Sequence, residues 1–308
     1  MAARRVKVAV LMGGIGRERE VSLQSGACAA KALVEAGYCV MAWDIGPDRM
    51  EILEDRTTDV FFVALHGAFG EDGQLQEILE QKGLTYTGSG PEACRLSFDK
   101  MATKRCLVEA GIDMPPSLEF TGDMDPRQLD RALKTWGPRV VVKPIRQGSS
   151  VGVHILDRPD QVGLFCQKVL AEFGDCMVEQ FIPGREITVG VLLGRALPVI
   201  EIRPVQGFYD YHAKYIDDQT QYLFGTLPAP VEQAVQAKAL AAFEALGLRH
   251  FGRIDFILHE DGTAYTLEAN AIPGLTSHSL LPKAAAQVGV SMDELCRQVV
   301  MAAHEGQR

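Results

Sequence analysis

The chain has 308 residues, enough for two or three domains that share substantial cores. Hydrophobic residues make up 47% of it and charged residues 23%, an ordinary composition for a soluble protein. The formal net charge of −9 argues against a broad nucleic-acid-binding surface. No stretch approaches about 18 consecutive apolar residues, so the sequence predicts no membrane-spanning helix. The seven cysteines form no C-x-x-C pair, which indicates reduced thiols in a cytoplasmic protein rather than disulfides or a zinc site.

The first 114 residues alternate strands with helices. The pattern predicts strands at 5–12, 38–44 and 59–65 and helices at 22–36, 74–82 and 99–110. Such alternation is typical of a parallel, doubly wound sheet, in which ligands bind beyond the carboxyl ends of the strands. Two polar, glycine-rich loops follow strands here, at 13–20 and 66–73, and the first lacks the G-x-G-x-x-G spacing of a dinucleotide-binding loop. Pro115-Pro116 indicates the end of this domain.

Residues 115–183 predict a smaller domain. Its predicted elements are helices at 126–136 and 159–173 and strands at 139–143, 151–156 and 176–181. Lys143 ends an apolar strand, where a buried cation needs an anionic partner. The loop Gly148-Ser149-Ser150 can fold over phosphates with its N–H groups and hydroxyls, although the loop taken alone is better explained as a plain glycine–serine turn.

Residues 184–308 predict a third domain. Its predicted strands lie at 186–193 and 197–203, followed by a hairpin within 251–270, and its helices lie at 231–246, 281–288 and 292–303. The segment 204–230 has no clear period and is long for a loop, which is typical of functional or disordered segments. Its aromatic residues argue against disorder.

The hairpin carries the clearest chemical pattern. A period of two places Arg253 and Asp255 on one face, and Thr266, Glu268 and Asn270 on one face of the partner strand. If the two polar faces coincide, Asp255, Glu268 and Asn270 converge as oxygen ligands suited to Mg²⁺. From spacing alone, an exposed, salt-bridged hairpin face explains the pattern equally well. The small-residue loop at 273–279 then offers N–H groups and hydroxyls to an anion.

Taken together and in this order, the motifs resemble the ATP-grasp fold and, within it, the D-alanine–D-alanine ligase family. The segments that carry the resemblance are Gly13-Gly14 with 18–22, His66-Gly67 with 70–73, 86–90, Lys143-Pro144 with 148–152, 208–211 with Lys214-Tyr215, 252–255, and Pro273-Gly274 with 276–279. They span about residues 5 to 303. Two departures are modest: Ile15-Gly16 stands where the family commonly has a small hydroxylated residue, and Ala271 stands where threonine is usual.

The resemblance implies an α/β (α+β) fold of three domains. These are an N-terminal doubly wound parallel sheet (1–114), a small β/α lid (115–183) and a larger antiparallel-sheet domain (184–308). It also implies the reaction: ATP phosphorylates one D-alanine, and the amine of a second D-alanine attacks the acyl phosphate. The product, D-alanyl-D-alanine, feeds peptidoglycan synthesis. Two Mg²⁺ ions, replaceable by Mn²⁺, and a cytoplasmic homodimer are implied as well. A ligase that uses D-lactate or D-serine, and an inactive sensor of ATP or D-alanine, are the alternatives.

The resemblance assigns roles residue by residue. The implied catalytic residues are Glu18, Ser149, Tyr215, Arg253 and Gly274, with Glu18 also holding the ammonium group of the first D-alanine and Tyr215 bridging Ser149 and Glu18. The implied substrate-binding residues are His66, Ser279 and Leu280. The implied ATP-binding residues are Lys100, Lys143, Ser150, Glu179, Gln180, Phe181, Ile182, Glu186 and Lys214. The implied metal ligands are Asp255, Glu268 and Asn270. The simpler alternatives are that His66 is a satisfied histidine at a strand end and that Glu71-Asp72 is a solvated turn.

Overall fold

The computed structural model describes residues 5–204 and 220–306. The predictions for Lys214 and Tyr215 lie outside the described residues. Within the described part of the chain, no helix combines the length and apolar character needed to cross a membrane.

The N-terminal sheet is parallel, as the sequence predicts. Its strands β1 (Lys7–Gly13), β2 (Cys39–Ile45) and β3 (Val60–Val63) lie in the order β2-β1-β3. Helix α1 (Arg19–Glu35) follows β1, and helix α2 (Gln74–Gln81) follows β3. The loops after β1 and β3 therefore meet at the carboxyl edge of this sheet, where the first candidate site residues lie.

Two short helices follow where the sequence predicts one. Helix α3 (Pro91–Phe98) is absent from the prediction, and α4 (Lys100–Glu109) begins immediately after it. Asp99 separates them, because its extended backbone ends α3 and its side chain accepts a 2.8 Å hydrogen bond from the Ala102 N–H at the start of α4. The junction directs Lys100 toward the site described below.

The middle sheet is antiparallel and four-stranded. Its strands β4 (Ser117–Glu119), β5 (Val140–Lys143), β6 (His154–Leu156) and β7 (Met177–Gln180) lie in the order β4-β7-β5-β6, with helices α5 (Pro126–Trp136) and α6 (Pro159–Phe173). The prediction that β6 begins at Val151 is wrong. Ser149 and Ser150 have φ angles of 54° and 57°, and this left-handed turn delays the strand to His154.

The large sheet is antiparallel throughout. Its strands are β8 (Arg185–Leu192), β9 (Arg195–Ala196), β10 (Ile200–Arg203), β11 (Gln221–Leu223), β12 (Phe251–Leu258) and β13 (Ala264–Asn270), in the order β11-β10-β8-β12-β13 with β9 paired to β8. Helices α7 (Ala229–Ala245), α8 (Leu280–Gln287) and α9 (Met292–Glu305) complete the described chain. Each sheet draws its strands from one of the three ranges 1–114, 115–183 and 184–308.

The cores do not follow those three ranges. Val8, Val10 and Phe62 of the N-terminal sheet share one apolar cluster with Val299 and Val300 of α9. The other face of the same sheet lies in a second cluster with residues of β8, β12 and α7. The N-terminal sheet is thus covered by its own helices, including α1, and also by elements from residues 184–308. The middle sheet keeps a small core of its own with α5 and α6.

Candidate active site

Two adjoining cavities open between these sheets. The large cavity, of about 600 Å³, lies between the ends of β5 and β7 on one side and β8, β10, β12 and β13 on the other. The small cavity, of about 150 Å³, lies between the start of α1, the loop after β3, Gly148-Ser149, the end of β13 and the start of α8. Glu268 lines both cavities, so they share a wall.

The sequence-predicted residues divide between the two cavities. Those that line the large cavity are Lys100, Lys143, Ser150, Glu179, Gln180, Phe181, Ile182, Glu186, Asp255 and Glu268. Those that line the small cavity are Glu18, His66, Ser149, Arg253, Glu268, Asn270, Gly274, Ser279 and Leu280. The residues implied to bind ATP lie around the large cavity, those implied to bind D-alanine lie around the small one, and the implied metal ligands divide between the two. The roles themselves stay predictions.

A buried carboxylate joins two lysines at the back of the large cavity. Glu179, only 2% exposed, lies 3.0 Å from Lys143 Nζ and 2.9 Å from Lys104 Nζ. Burial raises the pKa of Glu179, but the two lysines outweigh it and hold the pKa below its ordinary value. Lys143 thus has the anionic partner that its position requires. The three groups together carry one net positive charge.

Lys100 connects two other parts of the large cavity. Its Nζ donates a 2.5 Å hydrogen bond to the Gln147 carbonyl and lies 3.6 Å from Glu268 Oε2. It therefore links the loop before Ser149-Ser150 to the hairpin. A phosphate that enters this space meets an ammonium group already held between two fixed oxygens.

The hairpin has the predicted polar register with one irregularity. Asp255 pairs with Glu268 and Arg253 with Asn270, so these four side chains lie on one face. A bulge at Leu267 then shifts the register, because Phe256 pairs with Thr266. The prediction that Thr266 shares the face of Glu268 is wrong: Thr266 is fully buried on the opposite side. The bulge allows the consecutive residues Leu267 and Glu268 both to line the large cavity.

Asp255 is held by three neighbours. Arg253 donates to both of its oxygens at 2.8 and 2.9 Å, Thr188 Oγ1 lies 2.5 Å from Oδ1, and Asn270 Nδ2 donates at 3.0 Å. These contacts fix the carboxylate on the shared face with Glu268.

The donor set on this face fits a magnesium ion that also binds phosphates. It offers two carboxylates, and because Asn270 donates its amide nitrogen to Asp255, the amide oxygen is directed elsewhere. No group of three His, Cys, Asp or Glu side chains that could hold a metal ion occurs among residues 5–204 and 220–306. Mg²⁺ typically takes one or two protein carboxylates and completes its shell with water and substrate phosphates. The residues therefore fit Mg²⁺ held jointly with ATP.

Glu18 and the Ser149 loop meet across the small cavity. Ser149 Oγ donates a hydrogen bond to Glu18 Oε1. A Cβ on Gly67 would lie 2.6 Å from Glu18 Oε2, and one on Gly148 would lie 3.0 Å from both oxygens. Both glycines leave room for the carboxylate between the two loops, and Gly67 also has a left-handed φ of 72°, which favours glycine.

His66 is a neutral group in the wall of this cavity. Burial lowers its pKa to about 4. Its Nε2 lies 2.9 Å from Ser25 Oγ, the ring also hydrogen bonds to the Ile272 backbone, and the Ser25 hydroxyl accepts the Leu275 N–H at 3.2 Å. His66 and Ser25 therefore hold the loop around Gly274 against the N-terminal sheet. Direct binding of the first D-alanine by His66 stays a prediction.

The small cavity ends at the start of α8. Ser279 occupies the N-cap position of that helix, and Ser279 and Leu280 both line the cavity. The Ser279 hydroxyl accepts the Thr276 N–H at 3.0 Å, and a Cβ on Gly274 would lie 2.7 Å from it. A helix start with unsatisfied N–H groups attracts an anion such as a carboxylate.

Comparison with known proteins identifies the family. Two family models match, the D-ala D-ala ligase N-terminus over residues 48–89 and the D-ala D-ala ligase C-terminus over residues 107–301. A D-alanine–D-alanine ligase of Syntrophotalea carbinolica is 43% identical over 301 residues, which is 96% of both chains. The chain belongs to the D-ala D-ala ligase family.

Solved structures of D-ala D-ala ligases share the fold. The D-alanine–D-alanine ligase of Bacillus anthracis, in a complex with ATP, has a TM-score of 0.86 and 29% identity, and the match covers 98% of this chain and 100% of that one. A D-Ala:D-Ser ligase from Enterococcus faecalis has a TM-score of 0.83 and 25% identity, over 97% of this chain and 100% of that one. The ATP-grasp architecture predicted from the sequence is confirmed.

Two residues near the cavities of this D-ala D-ala ligase family member were not predicted from the sequence. Lys104 lies one helical turn after Lys100 on α4, and that i, i+4 spacing of two lysines was the available signal for a second cation facing the site. Ser25 carried no such signal, because nothing in the sequence shows that it meets residues about 250 positions away.

Proposed function

We propose that this protein ligates two D-alanines to D-alanyl-D-alanine at the expense of ATP, releasing ADP and phosphate. The observation that carries the proposal is the shared wall between a large cavity suited to ATP and a small cavity suited to amino acids. An acyl phosphate made at that wall can meet its nucleophile without leaving the protein. The product supplies peptidoglycan precursor synthesis, and with it cell wall biogenesis and cell shape.

In the first step, the large cavity orients ATP. We assign the phosphates to Lys100, Lys143 and Ser150, the adenine to Glu179 and the strand segment 180–182, and the ribose to Glu186, because all of them line this cavity. Asp255, Glu268 and Asn270 would hold Mg²⁺, which, when bound, offsets negative charge on the phosphates. Mn²⁺ has the same preference for oxygen ligands.

The small cavity presents the first D-alanine to ATP. Glu18 is placed to hold its ammonium group, and the contact between Glu18 and Ser149 closes the loop over the substrate. That closure excludes water, which would otherwise hydrolyse an acyl phosphate.

The second step joins the amine to the activated carbonyl carbon. Arg253 and the Gly274 N–H line the small cavity and would donate to the oxygen that becomes negative, at roughly 3–4 kcal/mol per donor. Ser279 and Leu280 at the start of α8 would bind the carboxylate of the second D-alanine.

The identity of the second substrate is decided by a competition experiment. The purified protein is given ATP, Mg²⁺ and D-alanine together with equal D-serine and D-lactate, and the products are read by mass spectrometry. D-Alanyl-D-alanine as the main product supports the proposal. D-Alanyl-D-serine or D-alanyl-D-lactate as the main product would replace it with the alternative ligase, and no phosphate release would indicate the inactive sensor.

We further infer a cytoplasmic homodimer of three-domain subunits. The cysteines in the described residues are all free, which fits a reducing compartment. The three sheets support domains at 1–114, 115–183 and 184–308. Light scattering of the eluted protein tests the dimer, which a monomer mass would contradict.

A further inference from the structure

A second carboxylate faces the small cavity beside Glu18. Glu71 lines the cavity, and its Oε2 accepts the Gly67 N–H at 2.6 Å. The same Gly67 lies against Glu18, whose Oε2 would be 2.6 Å from a Cβ there. The two acids therefore flank one glycine residue. Glu71 belongs to the site and not to a solvated turn.

The loop that carries Glu71 is fixed on both sides. The Asp72 carboxylate accepts the Phe69 N–H at 2.9 Å, and the buried Gln76 side chain donates to the Gly70 carbonyl at 2.6 Å. Glu71 therefore keeps its place in the cavity wall without help from a substrate.

The surroundings of Glu71 disfavour its charged form. Burial and the negative charges of Glu18 and Glu268 raise its pKa, while the Gly67 N–H and Arg253 lower it, and the result is a pKa of about 8. A carboxylate in such a site is a stronger base than one in water. A general base works best when its pKa lies near the pH at which the enzyme operates.

Glu18 has different neighbours from Glu71. It accepts a hydrogen bond from Ser149 and stands at the N-cap position of α1, where the helix dipole stabilises a negative charge. Two neighbouring acids with different surroundings can take different roles in catalysis.

The ligation needs two such roles. The amino group of the first D-alanine stays an ammonium ion throughout and needs a lasting counter-ion. The amino group of the second D-alanine begins as an ammonium ion and must lose a proton before its nitrogen can form a bond.

We propose that the Glu71 carboxylate accepts the proton from the ammonium group of the second D-alanine, while Glu18 remains the counter-ion of the first. This inference rests on the proposed ligase function and adds the catalytic base. The ammonium ion gives one proton to Glu71, and the nitrogen lone pair forms the C–N bond. The C–O bond to phosphate then breaks with its electron pair, and the second nitrogen proton leaves with the phosphate. Glu71 returns its proton to water after the product departs.

The test replaces the nucleophile that needs a base with one that does not. Hydroxylamine is uncharged at neutral pH and traps an acyl phosphate as a hydroxamate. With ATP, Mg²⁺, D-alanine and hydroxylamine, the wild-type protein should form both dipeptide and D-alanyl hydroxamate. In Glu71→Gln the ratio of dipeptide to hydroxamate should fall by at least about 100-fold. Glutamine retains an oxygen for the Gly67 N–H, so the loop keeps its anchor.

Two further variants sharpen the test. Glu18→Gln should lose both products together, because the first D-alanine loses its counter-ion. Glu92→Gln changes an exposed glutamate at the start of α3 and should leave the ratio unchanged. An unchanged ratio in Glu71→Gln, or a fall in the ratio in Glu18→Gln instead, would overturn the assignment. If the wild-type protein forms neither product, the proposed function itself fails.

Discussion

The two cavities share Glu268 but differ in how their charges are balanced. Among residues 5–204 and 220–306, five bases and five acids line the large cavity, so their charges cancel: Lys100, Arg139, Lys143, Arg185 and Arg203, and Glu179, Glu186, Glu201, Asp255 and Glu268. In the same part of the chain, the acids Glu18, Glu71 and Glu268 line the small cavity together with the guanidinium group of Arg253. A balanced lining leaves the charge of a nucleoside triphosphate largely uncompensated, which supports the proposed role of Mg²⁺. The acidic lining suits ammonium groups instead.

The largest expected effect comes from the acid that both cavities share. Glu268→Gln removes a proposed metal ligand and should reduce turnover by at least about 1000-fold, or about 4 kcal/mol. Phosphate release with ATP and D-alanine measures it, and circular dichroism checks the fold. Glu260→Gln, an exposed change in the turn of the same hairpin, is the matched control and should retain turnover. Near-wild-type turnover in Glu268→Gln would contradict the metal assignment.

The charge balance of the large cavity can be changed by removing either an acid or a base from its buried cluster. Glu179→Gln leaves Lys104 and Lys143 buried without their anion and should lower the free energy of unfolding by about 3 kcal/mol or more. Lys104→Met leaves the ion pair Lys143–Glu179, whose charges cancel. It should lower the free energy of unfolding by clearly less than Glu179→Gln does. Thermal or denaturant unfolding of both variants measures the difference. Equal losses would show that packing, rather than charge balance, governs this cluster.

The neutral His66 in the wall of the small cavity should make the stability of the protein depend on pH. Burial lowers the pKa of His66 from 6.5 to about 4 in the folded protein. Between those pH values the unfolded chain binds the proton and the folded protein does not, so stability falls as pH falls through this window. His66 should lower the free energy of unfolding by about 3 kcal/mol near pH 4, relative to pH values above 6.5. His66→Gln should lose less stability than the wild type between pH 6.5 and 4.

A histidine far from the cavity provides the control for the His66 variant. His304→Gln on α9 should retain the wild-type pH profile of the melting temperature. If His66→Gln follows the wild type as well, His66 does not stay neutral in the folded protein.

The smallest effect separates two adjacent serines. Ser149 lines the small cavity and Ser150 the large one, and both have left-handed backbones, so alanine strains each alike. Ser149→Ala removes a donor to the Glu18 carboxylate and should lower kcat/KM for the first D-alanine about 30-fold. This factor corresponds to a loss of about 2 kcal/mol of transition-state stabilisation. Ser150→Ala should instead raise KM for ATP. If the two variants change kcat/KM for D-alanine and KM for ATP to the same extent, the two cavities are not separate subsites.

The sequence predicted most of this architecture because its signals are local. Period-two alternation predicted that Asp255 and Glu268 face one another, and the strand that ends at Lys143 predicted an anionic partner. The bulge at Leu267 was not predictable, since one extra residue in a strand leaves no mark on a short alternating run. Helix α3 was missed although its Pro91 stands at a position typical of a helix start.

The small cavity was harder to predict because its members are far apart in sequence. Glu71 reads as a turn residue in Gly70-Glu71-Asp72-Gly73, and only the closure of Gly67 against Glu18 places it beside a second acid. Tertiary proximity, rather than any pattern along the chain, gives that carboxylate its unusual environment.

The placement of α9 against the first sheet has a consequence for synthesis on the ribosome. Val8, Val10 and Phe62 emerge early, but Val299 and Val300, which cover them, are among the last residues made. Helix α1 can cover part of this apolar face early, but the part that α9 covers stays exposed in the nascent chain until translation ends. We expect this protein to depend on chaperones that shield nascent chains, and to aggregate when its last fifteen residues are deleted.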